Sequence, residues 1–152
     1  MCLSETTTKQ PMIAEKDIIC YKFLRQRESR GGLKTFHAPY QGNRYLFGKL
    51  NTYVQVKLDY DDEVEEGYHS FAKLKDAYET AESRNRVHSF DLSKRRDFVF
   101  VCVIPKGTPY FEGEFRGRVS YASSQLKVLS RKDPRSIRHV KNLPANAVAK
   151  FP

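Results

Sequence analysis

The segment DFVFVCVI, residues 97 to 104, constrains the fold more than any other stretch of this chain. In an extended conformation Phe98, Phe100, Cys102 and Ile104 fall on one side and Val99, Val101 and Val103 on the other, so neither face tolerates water. Such a strand belongs in the middle of a sheet, with material packed above and below it. The run is far too short to span a bilayer, and Pro105-Lys106-Gly107-Thr108 closes it with a turn. The rest of the chain must therefore supply flanking strands and a cover for each face.

Several segments fit that need. DIICYKFL, residues 17 to 24, is dense in β-branched and aromatic side chains and reads as a first strand. A basic loop follows, with turn signals at Gly31-Gly32, Pro39 and Gly42-Asn43, from which Arg25, Arg27 and Arg30 are expected to project. TYVQVKLDY alternates Val54, Val56, Leu58 and Tyr60 with polar residues, the period of a half-buried strand. In FAKLKDAYETAES, Phe71, Leu74, Ala77, Tyr78 and Ala81 share one helical face, which predicts an amphipathic helix of about three turns with Ser70 as its N-cap. RVHSFDL reads as a short strand or loop, and PYFEGEF and SQLKVL supply two more strand-like pieces. With 152 residues, 39% of them hydrophobic, the chain has material for one ordinary core.

The expected fold class is therefore α+β: a single domain, mainly antiparallel or mixed sheet, with one principal helix and a basic irregular C-terminal segment. Residues 1–16 form a polar N-terminal segment, 17–130 the α+β domain and 131–152 the basic C-terminal segment.

Charge bears on partners rather than on fold. Lys and Arg number 27 against 18 Asp and Glu, a formal net charge of +9. Residues 101–152 hold ten basic and three acidic side chains, whereas DYDDEVEE packs six acids into eight residues and reads as a solvated acidic loop. That stretch lacks the spaced order of a calcium loop. Three cysteines, Cys2, Cys20 and Cys102, have no paired spacing, so neither a disulfide framework nor a metal knuckle is expected and a reducing, cytoplasmic setting is. The polar start lacks the layout of a signal peptide, and no membrane association is expected.

Motifs of common enzymes are absent: there is no GxSxG, HExxH, Walker loop or GxGxxG. His37, His69, His88 and His139 are scattered, none at a metal-ligand spacing from another ligand. An amino-terminal Cys2 nucleophile would need a buried strand start, and LSETTTKQP is polar and interrupted by proline. Cys20 and Cys102 sit in apolar runs and read as small core residues.

The C-terminal third offers a different chemistry. Arg116, Arg118, Lys127, Arg131, Lys132, Arg135, Arg138 and Lys141 are opposed only by Asp133. That supply of cations suits phosphate contacts whose binding is driven by counterion release. Tyr110, Phe111, Phe115 and Tyr121 lie nearby in sequence and, where exposed, would stack on unpaired bases.

The succession IICYKFL, EGYHSFAKLKDAYETA, VFVCVIPKGTPYFEG and YASSQLKVL resembles uncharacterised small proteins of gut Bacteroidales and their phages, over roughly residues 1 to 130. The resemblance implies a phage-derived protein and carries no assigned activity. More distantly, the order is similar to the ADP-ribosyltransferase fold, in which a first-strand residue holds NAD, a second element precedes a helix and a last strand carries a catalytic Glu. That resemblance gives Tyr21 or Lys22 the first role, His69 and Ser70 the second and Gln125 the third, with Glu112 or Glu114 as the substitute carboxylate. Lys22 stands where that fold uses Arg or His, and Gln125 where the chemistry uses a carboxylate.

Two expectations follow. One is a small non-enzymatic accessory or modulator protein, needing no cofactor, that binds nucleic acid, a nucleoprotein or an acidic protein surface through the eight cations. The other is an NAD-dependent ADP-ribosyltransferase-like enzyme or its inactive descendant. Geometry separates them: the second requires Lys22, His69, Ser70 and a carboxylate around one cleft.

Overall fold

In the computed structural model the doubly apolar strand runs through the interior of a nine-stranded antiparallel sheet, and the described residues are 2–39, 44–52, 55–87 and 97–141. In chain order the strands are β1 (Met12–Ile13), β2 (Ile18–Glu28), β3 (Lys34–His37), β4 (Leu50–Thr52), β5 (Tyr68–Phe71), β6 (Asp97–Ile104), β7 (Pro109–Phe115), β8 (Arg118–Ser123) and β9 (Gln125–Val128). Helix α1 (Leu74–Val87) lies between β5 and β6, and α2 (Pro134–Val140) follows β9. Across the sheet the order is β1-β7-β8-β5-β2-β6-β9-β4, with β3 paired to the extension of β2. The described residues thus form one α+β domain, mostly strand, with two helices.

β6 is central for the reason its sequence gives. It pairs with β2 along its whole length, from Ile18↔Ile104 to Arg25↔Asp97, and with β9 on its other side. Phe100 to Ile104 are all buried. On one face Cys20, Leu24, Phe100, Cys102 and Ile104 pack under Phe36, Ala38 and Tyr45 from the segment around β3. On the other, Tyr21, Phe23, Val99, Val101 and Val103 pack under Ala77 and Ala81 of α1, joined by Leu74 and Tyr78. A charged cluster fastens the helix: Arg84 lies 3.1 Å and Arg25 3.3 Å from the carboxylate of Asp97, whose side chain is buried.

Several expectations are corrected. Ser70 is not an N-cap: it is a buried residue of β5, and α1 begins at Leu74 because Tyr68–Phe71 pairs with β8 from Tyr68↔Ser123 to Phe71↔Ser120. Residues 55–59 are not a strand despite their alternation; Val56 is buried beneath the turn into β5, where a Cβ on Gly67 would come 2.5 Å from the Val56 side chain. Arg25 and Arg27 lie within β2, which continues into a hairpin with β3. Arg118–Ser123, unassigned from sequence, is a strand. The expected strand or loop RVHSFDL begins as the last turn of α1, and its remainder, His88 included, lies outside the described residues.

Both terminal segments contain regular structure among the described residues. Leu3 is fully buried, and residues 3 to 13 run along the free edge of β7 through Ser4↔Glu114, a bond from the Thr7 amide to the Glu112 carbonyl, and β1. The approach is close enough that a Cβ on Gly113 would sit 2.5 Å from the Ser4 carbonyl oxygen. Within the basic C-terminal segment, of which residues 131–141 are described, Pro134–Val140 is helical: Asp133 caps the first turn by accepting from the Arg135 amide, and Pro134 occupies the first turn, where its missing N–H costs nothing.

Candidate functional site

The eight cations of the C-terminal third divide between two places. Arg116 and Arg118 flank the turn from β7 to β8. Arg118 is taken up by α1, 3.9 Å from Asp76 and 3.6 Å from Glu79, and Arg116 lies 5.3 Å above the Phe115 ring. The other six surround α2. Arg135, though partly exposed, is engaged within the chain: it bonds Asp17 at 2.9 Å and Asp133 at 2.8 Å, tying α2 to the start of β2. Hydrogen bonds from Arg135 hold the Asp133 carboxyl down at about 2. Asp133 is thus ionised and paired, sharing the Arg135 guanidinium with Asp17.

What remains is a surface of one sign. Arg131 and Lys132 are exposed in the turn before α2, Arg138 and Lys141 are exposed on and just after it, and these four make no ion pair among the described residues. Lys127, half-buried on β9, lies close enough to act on Asp133. The helix is held by its opposite side: Ser136 is buried and donates to the Ser130 and Asp133 carbonyls, and His139 Nδ1 is 2.8 Å from the Tyr21 hydroxyl.

The aromatic residues expected beside these cations are elsewhere. Phe111 and Phe115 are buried. Tyr110 and Tyr121 are half-buried, but they pack with Cys20 and Cys102, on the sheet face opposite the one that carries Tyr21 and α2. Stacking on bases held by the basic face is therefore not available to them.

That opposite face contains a row of polar side chains. Register places Glu112 against Tyr121, and Tyr121 against Ser70. Ser70 precedes Phe71 and Lys22 follows Tyr21, and Tyr21↔Phe71 is an antiparallel pair, so Ser70 and Lys22 are lateral neighbours. The row thus runs Glu112, Tyr121, Ser70, Lys22. Because β2 and β5 share only that one pair among the described residues, the His69 carbonyl turns to Lys22, whose Nζ donates to it at 2.5 Å and lies 5.2 Å from the Tyr45 ring.

Burial sets the protonation along this row. It lowers Lys22 from 10.5 to about 8 and raises the Cys20 thiol to about 12. Tyr121 is raised to about 12, first by burial and then by the charge of Glu112. His69 points to the other face, where Nε2 meets the Glu65 carbonyl at 3.0 Å; burial, and then the charge of Lys22, lowers it to about 3, so its ring is neutral. Gln125 shares the face of Lys127, with its amide oxygen accepting from the Thr108 hydroxyl at 3.3 Å.

Of the residues assigned to the NAD-binding expectation, Lys22, Ser70 and Glu112 therefore share a row, while the side chains of His69 and Gln125 lie across the sheet. No group of three His, Cys, Asp or Glu side chains suited to a metal ion occurs among the described residues. No helix among them is long and apolar enough to cross a membrane. Comparison with protein-family models, curated proteins and solved structures returns no match for this chain.

The helix-bound basic surface had a readable signal in the pair Asp133-Pro134, a capping residue followed by proline at the first helical position. The row on the other face had none, because it depends on strand register.

Proposed function

We propose that this chain is a non-enzymatic binding protein for a polyanion, nucleic acid foremost, which it engages through the surface around α2. The observation that carries the reading is the set Arg131, Lys132, Arg138 and Lys141, exposed and free of described acids, beside an Asp133 already engaged by Arg135. Four cations fixed on a capped helix and its leading turn suit a run of phosphates. With no exposed ring on that side among the residues assigned to stacking, contact is to the backbone and not to the bases. Duplexes are bound at least as well as single strands, with little sequence preference.

Fluorescence anisotropy with single- and double-stranded DNA and RNA across a salt series tests this. For duplex DNA, changing Arg131, Lys132 and Arg138 together to Ala weakens binding and flattens the log–log salt slope by up to about 2.7. The circular dichroism spectrum stays unchanged, because exposed charges contribute little stability. Absence of binding to all four at low salt removes nucleic acid and leaves an acidic protein surface as the target.

A second reading, an NAD-dependent transferase or its inactive descendant, draws its support from the row Glu112, Tyr121, Ser70 and Lys22. It is weaker because His69 and Gln125 face away from that row. Calorimetric titration with NAD, repeated on Ser70→Ala, decides it: tight binding lost in the variant favours the enzyme.

A further inference from the structure

The exposed end of the polar row has features that the basic face does not explain. Tyr110 and Tyr121 stand with ring centroids 6.0 Å apart and planes at 74°, an aromatic corner whose inner edges rest on the core. Glu112 is directly opposite Tyr121 and two residues from Tyr110 on the same face, so its carboxylate stands beside both rings. In a chain of net charge +9, Glu112 makes no ion pair with any described cation. The exposed Glu15, on the loop after β1, also acts on Tyr110.

Ser70, the neighbour of Tyr121 on the side away from Glu112, is fully buried against the Cys20 thiol and closes the inner end of the row.

We propose that Tyr110, Tyr121 and Glu112 form a binding site for an organic ammonium group. In this edge-to-face pair an outward phenol face attracts a cation through its quadrupole, and the half-buried carboxylate supplies the countercharge. The apolar rings prefer an ammonium bearing alkyl groups to a hydrated metal ion, which needs several oxygen ligands. Lys22, at the far end of the row, does not neutralise the site: three strand spacings separate it from Glu112, about 14 Å. The site lies on the opposite sheet face from α2 and does not depend on polyanion binding.

An NMR titration of the full chain with choline chloride, at constant ionic strength against sodium chloride, tests the site. Ring protons of Tyr110 and Tyr121 shift and saturate, and 3,3-dimethylbutanol, the neutral isostere, binds at least about tenfold more weakly. Glu112→Gln and Tyr110→Leu each weaken choline by roughly tenfold, while Tyr110→Phe, which keeps the ring, binds as the parent does. A trimethyl-lysine peptide beside its unmethylated form tells the source: preference for the methylated peptide over choline assigns a protein side chain, and the reverse a free metabolite. Unmoved tyrosine signals, equal binding of the neutral isostere, or a Glu112→Gln protein that binds choline unchanged overturns the proposal.

Discussion

Lys22 Nζ donates a hydrogen bond to the main-chain carbonyl of His69 at 2.5 Å, so a buried ammonium supplies what the ladder between β2 and β5 leaves out. Both residues carry a burial cost in their charged forms, and each cost has its own pH window.

His69 is held at about 3, below its ordinary 6.5, chiefly by burial. Between those values the unfolded chain binds the proton and the folded chain does not, so stability falls as pH falls through this window. At pH 4.5 the loss attributable to His69 is about 3 kcal/mol. Lys22, lowered to about 8, behaves in the same sense at higher pH: its penalty is fully present below 8 and is relieved as pH rises toward 10.5. The thiols of Cys20 and Cys102, both raised by burial, act oppositely above pH 9, where unfolded thiols ionise first. Urea denaturation of the parent, His69→Gln and Lys22→Met separates the contributions. His69→Gln flattens the slope between pH 6.5 and 4.5, and Lys22→Met removes a rise of about 1 kcal/mol between pH 8 and 9. Parallel slopes in parent and variants contradict buried, desolvated groups.

Phe100 is fully buried, with its ring 5.1 Å from that of Phe36 and 5.4 Å from that of Phe47. Phe100→Ala costs about 3–5 kcal/mol, through lost transfer energy and the cavity left behind. The check is the shift in denaturation midpoint at unchanged m-value.

Sequence and structure agree where one residue pattern admits one environment. The double-sided apolar character of β6 and the Pro105-Gly107 turn are of that kind. They diverge where periodicity is satisfied by two structures. Phe71 lies in register with the apolar face of α1 yet ends β5, and it joins the same core cluster from the strand. Val56 and Leu58 alternate as in a strand, but they enter a core with Leu3 and Phe111 without a ladder, so their burial is read correctly and their backbone is not. Leu3 itself gave no local signal, standing at the head of the polar run SETTTKQ. Its burial depends on β7 having a free edge, which only the strand order reveals. For the same reason the cations were legible as a group, whereas which of them are consumed by Asp76, Glu79, Asp133 and Asp17 was not.

Gly113 allows that edge to be closed. A methyl group there would meet the Ser4 carbonyl oxygen at 2.5 Å and the Leu3 side chain at 3.0 Å. Gly113→Ala therefore displaces the N-terminal segment at a cost of roughly 1–3 kcal/mol. Hydrogen exchange at the amides of Ser4 and Glu114, which bond across this edge, and of Leu3, which donates to the Val64 carbonyl, speeds up before exchange in β6 does. Unchanged protection at all three rejects the close approach.

The basic surface makes the sharpest contrast between two arginines three residues apart. Arg135 bonds Asp133 through Nε and Nη2 and Asp17 through Nη1, while Arg138 is exposed on the outer side of α2. Arg135→Ala removes the clamp that joins the helix cap to the start of β2, and Asp133→Ala removes the cap itself, at about 0.5–2 kcal/mol. The half-exposed Arg135 pairs are screened by solvent, so Arg135→Ala costs no more than about 1 kcal/mol. Arg138→Ala costs almost nothing. Binding reverses the order of directness: Arg138→Ala lowers affinity for duplex DNA by removing one phosphate contact, with a slope change of about 0.9. Arg135→Ala lowers it by loosening α2, with faster exchange of the Ser136 and Lys141 amides, which bond within this element. Measuring stability, helix exchange and salt slope on the two variants together distinguishes a cation that touches the partner from one that holds the surface in place. If Arg138→Ala leaves the slope unchanged while Arg135→Ala changes it by a full contact, the exposed side of α2 is not the face that meets the phosphates.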